Sequence, residues 1–544
     1  MNDIVGGNGF GTAAALGATA IGRVESISGS GAETRLDRRM LDLLANEPDA
    51  ALAMAGEIGA MLKMTVAGRS VIASIHELGL SGDEVSARIS FLGEGIVDPE
   101  GRITAFRRGV TRYPLPGTPV HPVSGADMDA IFNTGDVPHI EVGTVHPTCS
   151  TRASLLVDAM LGKHFALLGS TGTGKSTATA LILHRICQMA PAAHVVMIDP
   201  HGEYAAAFSQ VGAAYDVSNL AMPYWLMNFE EHCEVLLTTT GAERQTDSDI
   251  LAKCLLAARQ KNKAAETVAR ITVDSPIPYV LSELTTIIQA EMGKLDKASN
   301  SAPYLRLKQK IDEIRSDPRY HFMFSGMLVG DSMKSFVKRI FRLPGDGKPI
   351  SLIDVSGVPS EITSVVVSVL ARCVFDYAIW ARGAAEHPVL LVCEEAHRYV
   401  PSDRSAQNGP VRKILERIAK EGRKYGVSLG LVTQRPSDLA EGVLSQCGTI
   451  IAMRLNNERD QAFVKAAMPE GARGFLDSIP ALRNREAIIC GEGVPIPIRV
   501  AFDDLEEGLR PASNDPVFSE LWCKTGNEDA LVEHVIGRWR NQGR

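Results

Sequence analysis

The chain has 544 residues, 45% hydrophobic and 22% charged, with a formal net charge of −8. That length exceeds one ordinary domain, and the composition is that of a globular protein with ample core, not of a disordered or collagenous chain. The acidic balance excludes a uniformly basic nucleic-acid coat and leaves room for a local basic channel, because binding footprints are set by patches. Nine cysteines are scattered without a C-x-x-C pair. This argues against a zinc ribbon or a disulfide framework and suits a reducing cytosol.

The N-terminal small apolar run Ala13–Ala20 follows Asp3 and not the basic segment a signal peptide needs. Residues 1–150 read as a β-rich domain, a small barrel or sandwich. Short β-prone runs occur at Ala20–Ile27, Ser70–Ile75, Val85–Phe91, Arg102–Phe106 and His139–Val142, punctuated by Gly, Pro and Asp. Leu36–Leu44 has helical spacing, and Ala51–Met64 is ambiguous. Thr111–His121, with three prolines, reads as a loop or extended connection.

From Thr151 strands and helices alternate. His164 to Leu168 is an apolar run of strand length that enters Gly169-Ser170-Thr171-Gly172-Thr173-Gly174-Lys175-Ser176-Thr177, and Thr177 to Met189 reads as a helix. Gly169 to Ser176 satisfies G-x-x-x-x-G-K-[ST] at every specified position. The glycines allow successive N–H groups to aim at phosphate oxygens, and the helix N-terminus adds partial positive charge. Lys175 is expected on the β- and γ-phosphates of ATP and Ser176 on Mg²⁺.

Further strands end in polar residues: Ile198 before Asp199, Ile353 before Asp354, Val389–Cys393 before Glu394-Glu395, and Ser428–Val432 before Thr433-Gln434. Apolar strands with chemistry at their C-terminal ends indicate a parallel α/β sheet with its site along that edge. Glu394 is assigned to the Mg²⁺ shell and Glu395 to the attacking water. Asp199-Pro200-His201-Gly202-Glu203-Tyr204 reads as a metal ligand set or as a turn, with a structural or supporting role preferred. The span 231–333 interrupts the alternation and reads as a helical insertion, which assigns the core to 151–230 and 334–500.

In the predicted helix Asn408–Tyr425, Val411, Ile414, Leu415, Ile418 and Ala419 fall on one stripe. Its basic residues are read either as a solvated face or, for Arg423, as an arginine reaching a γ-phosphate. Gln434 is read either as a γ-phosphate sensor or as an unremarkable strand end. Residues 501–544 read as an acidic patch, Asp503-Asp504 and Glu506-Glu507, and then a tail ending in Trp539-Arg540 that is expected to dock on a neighbour or fray. Ser364–Ala381 carries Arg372 and Asp376 and reads as a core helix, not a membrane span. A cytoplasmic protein with no membrane segment is expected.

Taken together, these residues resemble the HerA family of the FtsK–HerA ATPases. The likeness rests on Gly143-Thr144, the phosphate loop, Asp199-Pro200-His201-Gly202-Glu203-Tyr204, Asp354-Val355-Ser356-Gly357, Glu394-Glu395-Ala396-His397, Glu421-Gly422-Arg423-Lys424-Tyr425-Gly426 and Thr433-Gln434-Arg435-Pro436. Ile21-Gly22-Arg23-Val24 fits, more loosely, the small barrel of that family. The resemblance implies a RecA-like ATPase core, a homohexameric ring with ATP at subunit interfaces, and double-stranded DNA through the pore. It implies a trans-acting role for Arg423 and a sensor role for Gln434. It also points to Lys163, where family members often carry an arginine acting on the neighbouring nucleotide; lysine keeps the charge without the bidentate fork. Glu394 stands where Asp is commoner. Family members act with a nuclease, NurA-type in archaea, or in bacterial defence with an effector such as an NAD-consuming sirtuin-like protein. A translocase or helicase is the leading expectation. The alternatives are an ATP-bound scaffold that activates an effector and a DNA-transfer ATPase at a membrane pore.

Overall fold

The computed structural model describes residues 19–540 apart from 83, 100, 149, 295–300, 326–327, 329, 384–386, 404–408, 469–471, 513–516 and 524–527. The expected helix start at Asn408, the low-complexity residues 295–300 and nearly all of the Ala13–Ala20 run lie outside the described residues.

The N-terminal strands are β1 (Gly22–Ile27), β2 (Gly31–Asp37), β3 (Met61–Val66), β4 (Arg69–Ser81), β5 (Glu84–Val97), β6 (Ile103–Arg108) and β7 (Pro119–Pro122). They form one antiparallel sheet in the order β2-β1-β7-β3-β4-β5-β6, and β2 also pairs with β5 from Gly31↔Ser90 to Asp37↔Glu84. That pairing closes a barrel and leaves β6 outside it. Strand alternation explains its two surfaces. Leu62, Met64, Val71, Ala73 and Ile75 fill the barrel, whereas Met61, Ile72, Leu92 and Ile103 face the core of the second domain. Leu36–Leu44 divides between the end of β2 and a helix at Arg38–Leu44 capped by Asp37. Ala51–Met64 divides between a short helix, Ala50–Ala53, and β3.

The proline-rich connection contributes a strand after all. β7 carries Pro119 and Pro122 and pairs over two residues with each neighbour, Val120 opposite Gly22 and His121 opposite Lys63. Proline lacks an N–H, so such a strand stays short. The barrel ends at Pro122, well before residue 150: His139–Val145 (β8) and Arg152–Leu156 (β9) belong to the second sheet.

That sheet continues with β10 (Phe165–Leu168), β11 (His194–Asp199), β12 (Gly212–Tyr215), β13 (Ile350–Asp354), β14 (Val389–Cys393), β15 (Val427–Thr433), β16 (Thr449–Met453), β17 (Glu486–Gly491) and β18 (Ile498–Phe502). The order is β12-β13-β11-β14-β15-β10-β16-β17-β18-β8-β9. β12 to β16 run parallel, and β17, β18, β8 and β9 extend the sheet antiparallel. Register aligns the C-terminal ends: Leu168 opposite Thr433, Ile198 opposite Cys393, Asp199 opposite Asp354.

Helices between Phe229 and Ile340 fill the interruption between β12 and β13. They are tied to the core by Glu231, fully buried, which accepts from Arg372 Nη2 at 2.9 Å and from Ser368 Oγ at 2.7 Å. Arg372 lies on the helix Ser360–Ala381, long and apolar enough to cross a membrane but packed into the protein. The stripe Val411, Ile414, Leu415, Ile418, Ala419 is buried on the helix Gly409–Glu421, as its spacing requires.

Candidate nucleotide site

β10 delivers the chain into the phosphate loop. Gly172 (φ +77°) and Gly174 (φ +98°) adopt left-handed conformations, and Gly174 caps the helix Lys175–Met189. A Cβ at Gly174 would be strained by that φ and would stand 3.1 Å from Arg485 Cγ. The loop is pinned from several sides. Ser170 N–H donates to Arg454 O at 2.9 Å, Arg485 N–H donates to Thr173 O at 2.9 Å, and Thr173 Oγ1 donates to Ser170 O at 2.8 Å.

A cleft of about 490 Å³ is lined by Thr171, Gly172, Gly174, Lys175, Ser176 and Thr177 together with Glu394, Glu395, Gln434, His201, Glu203 and Pro511. Three separate strand ends therefore bring Lys175, Glu395 and Gln434 to one place. Burial pushes the Lys175 amine down, and Glu395, Glu394 and Glu203 pull it back up without fully restoring it. The Thr171 hydroxyl donates to Gln434 Oε1, which ties the loop to the end of β15.

β14 ends at Cys393, and Glu394 N–H still donates to Ile198 O on β11 at 3.2 Å. Glu395 then turns into the left-handed region, φ +50°. The turn aims two consecutive carboxylates into the cleft, where straight strand geometry would send them to opposite faces. Both are buried, and among the described residues Glu394 Oε2 and Glu395 Oε2 find no hydrogen-bond partner. Burial, with Asp199, Glu203 and Glu395 nearby, pushes the Glu394 carboxyl up to about 8, against an opposing pull from Tyr204. Burial also pushes Glu395 up, but His397, Lys175 and His201 outweigh it and hold that carboxyl below its ordinary value.

These orphaned acceptors fit a cation. Among the described residues no three His, Cys, Asp or Glu side chains enclose a metal by themselves. Mg²⁺ keeps few protein ligands and completes its shell with phosphate oxygens and water. Ser176 and Glu394, which both line the cleft, would hold it.

The Asp199–Tyr204 cluster resolves into two roles. Asp199 accepts N–H bonds from His201 (3.0 Å), Gly202 (2.8 Å) and Tyr204 (3.1 Å), so it builds a turn. A Cβ on Gly202 (φ +69°) would stand 2.8 Å from Asp354 Oδ2. The turn presents Glu203, whose Oε2 accepts from Ser176 Oγ at 3.4 Å. The sequence reading prefers a structural or supporting role for this cluster; a second acidic residue four positions beyond the strand-end Asp199 is the available signal for Glu203. Nothing local marked Pro511. It reaches the cleft because Ala512 N–H donates to Glu203 O at 3.1 Å, after Leu505 is buried in the core.

Lys163 and Arg423 are not part of this cleft. Lys163 precedes β10 and its Nζ lies 2.8 Å from Glu492 Oε1. Arg423 is exposed on the turn Gly422–Tyr425 that precedes β15, and its charge also reaches Glu492. Both sit at the N-terminal edge of the parallel strands, a full strand length from Lys175. His164, between them and β10, is buried: its Nε2–H donates to Ala419 O at 3.1 Å and its Nδ1 accepts from Leu429 N–H at 3.0 Å.

A phosphate loop at the end of a central parallel strand, with an acidic pair at the end of a strand separated from it by one other, defines a RecA-like P-loop ATPase. Residues 140–374 match the family model described as Helicase HerA, central domain. The chain is similar to the DNA double-strand break repair helicase HerA of Pyrococcus furiosus, 26% identical over 68% of this chain and 70% of that protein. It is likewise 27% identical to that of Sulfolobus acidocaldarius, over 78% and 80%. Over these stretches the chain is similar to the HerA helicases. Among solved structures, VirB4 of Thermoanaerobacter pseudethanolicus superposes with a TM-score of 0.49 at 17% identity, covering 69% of this chain and 99% of that one. The plasmid coupling protein TrwB in complex with ADP and Mg²⁺ superposes with a TM-score of 0.45 at 14% identity, over 73% and 94%.

Proposed function

We propose that this protein is an ATP-dependent duplex-DNA translocase of the helicase type. The observation that carries the reading is the meeting of Lys175, Glu395 and Gln434 in one cleft while Arg423 and Lys163 stand on the opposite sheet edge. Such a subunit holds half of an ATP site on each edge, and a closed ring of identical subunits, a homohexamer, completes every site. In that ring Arg423 reaches the neighbour's γ-phosphate, and Lys163 contributes charge beside it.

Within one subunit the loop N–H groups and Lys175 bind the phosphates. Glu395, below its ordinary pKa and without an aligned donor on Oε2, accepts the proton of the attacking water. Gln434 reports the γ-phosphate to β15. Ser176 and Glu394 would hold Mg²⁺, which when bound would supply charge neutralisation for the phosphates. The relatives named as double-strand break repair helicases support DNA as the track. A nuclease or NAD-consuming effector partner, in end processing or in antiviral defence, completes this reading. Among the described residues every cysteine is free, which suits a cytoplasmic setting.

The test is the steady-state ATPase rate with and without linear duplex DNA, beside Glu395→Gln. DNA stimulation abolished by the substitution is expected. A low rate indifferent to DNA, with effector activation preserved in Glu395→Gln, would replace the motor with an ATP-bound scaffold.

A further inference from the structure

We propose that His397 is the positioning residue for Glu395, and that it couples this carboxylate to the end of β15 where Gln434 sits. The proposal rests on reading Glu395 as the group that takes the water's proton.

His397 lies in the short turn Ala396–Arg398 directly after the carboxylate pair. Its Nδ1 stands 2.9 Å from Thr433 Oγ1 and 3.2 Å from Glu395 Oε2. The ring is largely buried, with 15% of its side chain exposed. A hydrogen bond is made to Thr433, while Glu395 Oε2 stays within ion-pair reach but has no aligned donor. With the proton on Nδ1, one N–H faces two acceptors. A small ring rotation moves it from the β15 hydroxyl to the carboxylate.

Glu395 needs such support. Its backbone is left-handed, a conformation disfavoured by a side chain with a β-carbon, and persists only when neighbours hold it. Arg398 N–H donates to Glu395 O at 2.8 Å and fixes the backbone. Among the described residues His397 is the side chain poised on the carboxylate oxygen itself.

The connections continue past Thr433. Its hydroxyl also accepts from Arg435 N–H at 3.1 Å, so it is anchored across Gln434. Gln434 in turn accepts from Thr171 of the phosphate loop. A series of residues, Glu395, His397, Thr433, Gln434 and Thr171, joined from Thr433 to Gln434 through the backbone, thus runs around the cleft. A displacement of Gln434 on γ-phosphate loss is passed through Thr433 to the ring, and from the ring to Glu395.

The full-length wild-type protein is compared with His397→Ala, His397→Asn and Thr433→Val. The readouts are kcat and KM for ATP, and separately the Kd for Mg²⁺–ATP from equilibrium titration of a fluorescent analogue. His397→Ala is expected to lower kcat about ten- to a hundred-fold, the range of lost support to a functional group, with Kd and KM little changed. His397→Asn, whose amide N–H takes the place of Nδ1–H, is expected to recover most of kcat. Thr433→Val is expected to lower kcat less, and to add nothing on top of His397→Ala. Unchanged kcat in His397→Ala, a parallel loss of kcat and Mg²⁺–ATP affinity, or failure of asparagine to rescue would each overturn the proposal. Should the alanine variant not fold, His397→Asn and Thr433→Val decide by the same criteria. A wild-type protein whose ATP hydrolysis survives Glu395→Gln would instead overturn the reading of Glu395, which separates the two failures.

Discussion

The Ser176 hydroxyl donates to Glu203 Oε2 across 3.4 Å, joining the phosphate loop to a turn that follows a different strand. In P-loop proteins this hydroxyl is a Mg²⁺ ligand. Glu203 is thereby a support for a ligand, and orienting partners of this kind are worth about ten-fold or more in metal affinity. Glu203→Ala is expected to raise the Mg²⁺ concentration for half-maximal ATP hydrolysis by roughly that factor, with the rate at saturating Mg²⁺ changed far less. A Mg²⁺ titration of the ATPase rate checks this; an unshifted midpoint would place Glu203 outside the metal's surroundings.

The separation of Lys175 from Arg423 gives a complementation test. Lys175→Ala removes the phosphate contact on one edge, and Arg423→Ala removes the guanidinium on the other. Each variant alone is expected to be inactive. Mixed before assembly, they form some interfaces with an intact loop from one subunit and an intact Arg423 from the next, about a quarter of all interfaces for random equal mixing and active by the arginine-finger logic. ATPase activity across mixing ratios should therefore peak near equal amounts. A flat line at zero would put both residues in service of the same subunit's site.

Glu231, fully buried, and Arg372, largely buried, join the insertion to the core. Removing one partner of a buried pair costs about 3–5 kcal/mol, because the other charge is left uncompensated, whereas replacing both with apolar residues of similar volume costs far less. Arg372→Met is expected to lower the thermal midpoint steeply, and Glu231→Leu/Arg372→Met to recover much of the loss. Equal destabilisation by the single and double variants would mean that the Ser368 and Asn228 bonds to Glu231, not the ion pair, hold the contact.

His232 sets an acid limit on stability. Its Nδ1–H donates to Asn228 O at 2.7 Å and its Nε2 accepts from the Tyr279 hydroxyl at 2.8 Å. Burial, reinforced by Arg259 and Arg372, holds it down to about 3. An unfolded chain protonates this histidine below about pH 6.5 while the folded chain does not, so stability is full above that value and falls as pH drops toward 3. At pH 5 this single group accounts for about 2 kcal/mol. Melting measured from pH 7 to pH 5 should show the decline, and His232→Gln should flatten it.

Much of the candidate site was legible because its chemistry is local. The phosphate loop, the Glu394-Glu395 pair and Gln434 each sit at the end of an apolar strand, and a parallel sheet brings such ends together whatever the order of its strands. The buried stripe from Val411 to Ala419 was legible for the same reason, since helical spacing is a property of contiguous residues. The barrel was legible as a class but not in its closure. β7 carries prolines that argue against a strand, and only its pairing with β1 and β3 reveals one. The closing contact of β2 with β5 joins residues 47 (Asp37↔Glu84) to 59 (Gly31↔Ser90) positions apart, and no local pattern encodes it.

What contiguous residues specify, then, is the kind of chemistry: a phosphate cradle, an acidic pair and a polar strand end. What tertiary packing decides is which of these groups share a cleft. It turned Asp199 inward to its own backbone and Glu203 outward to Ser176, brought Pro511 from the tail to the cleft wall, and set His397 between Glu395 and Thr433. It also placed Lys163 and Arg423 beside Glu492 on the far edge. The physical reason is range. Backbone propensity and side-chain period act over a few residues, whereas hydrogen bonds and ion pairs across a sheet depend on strand order and register, which the whole chain must settle together.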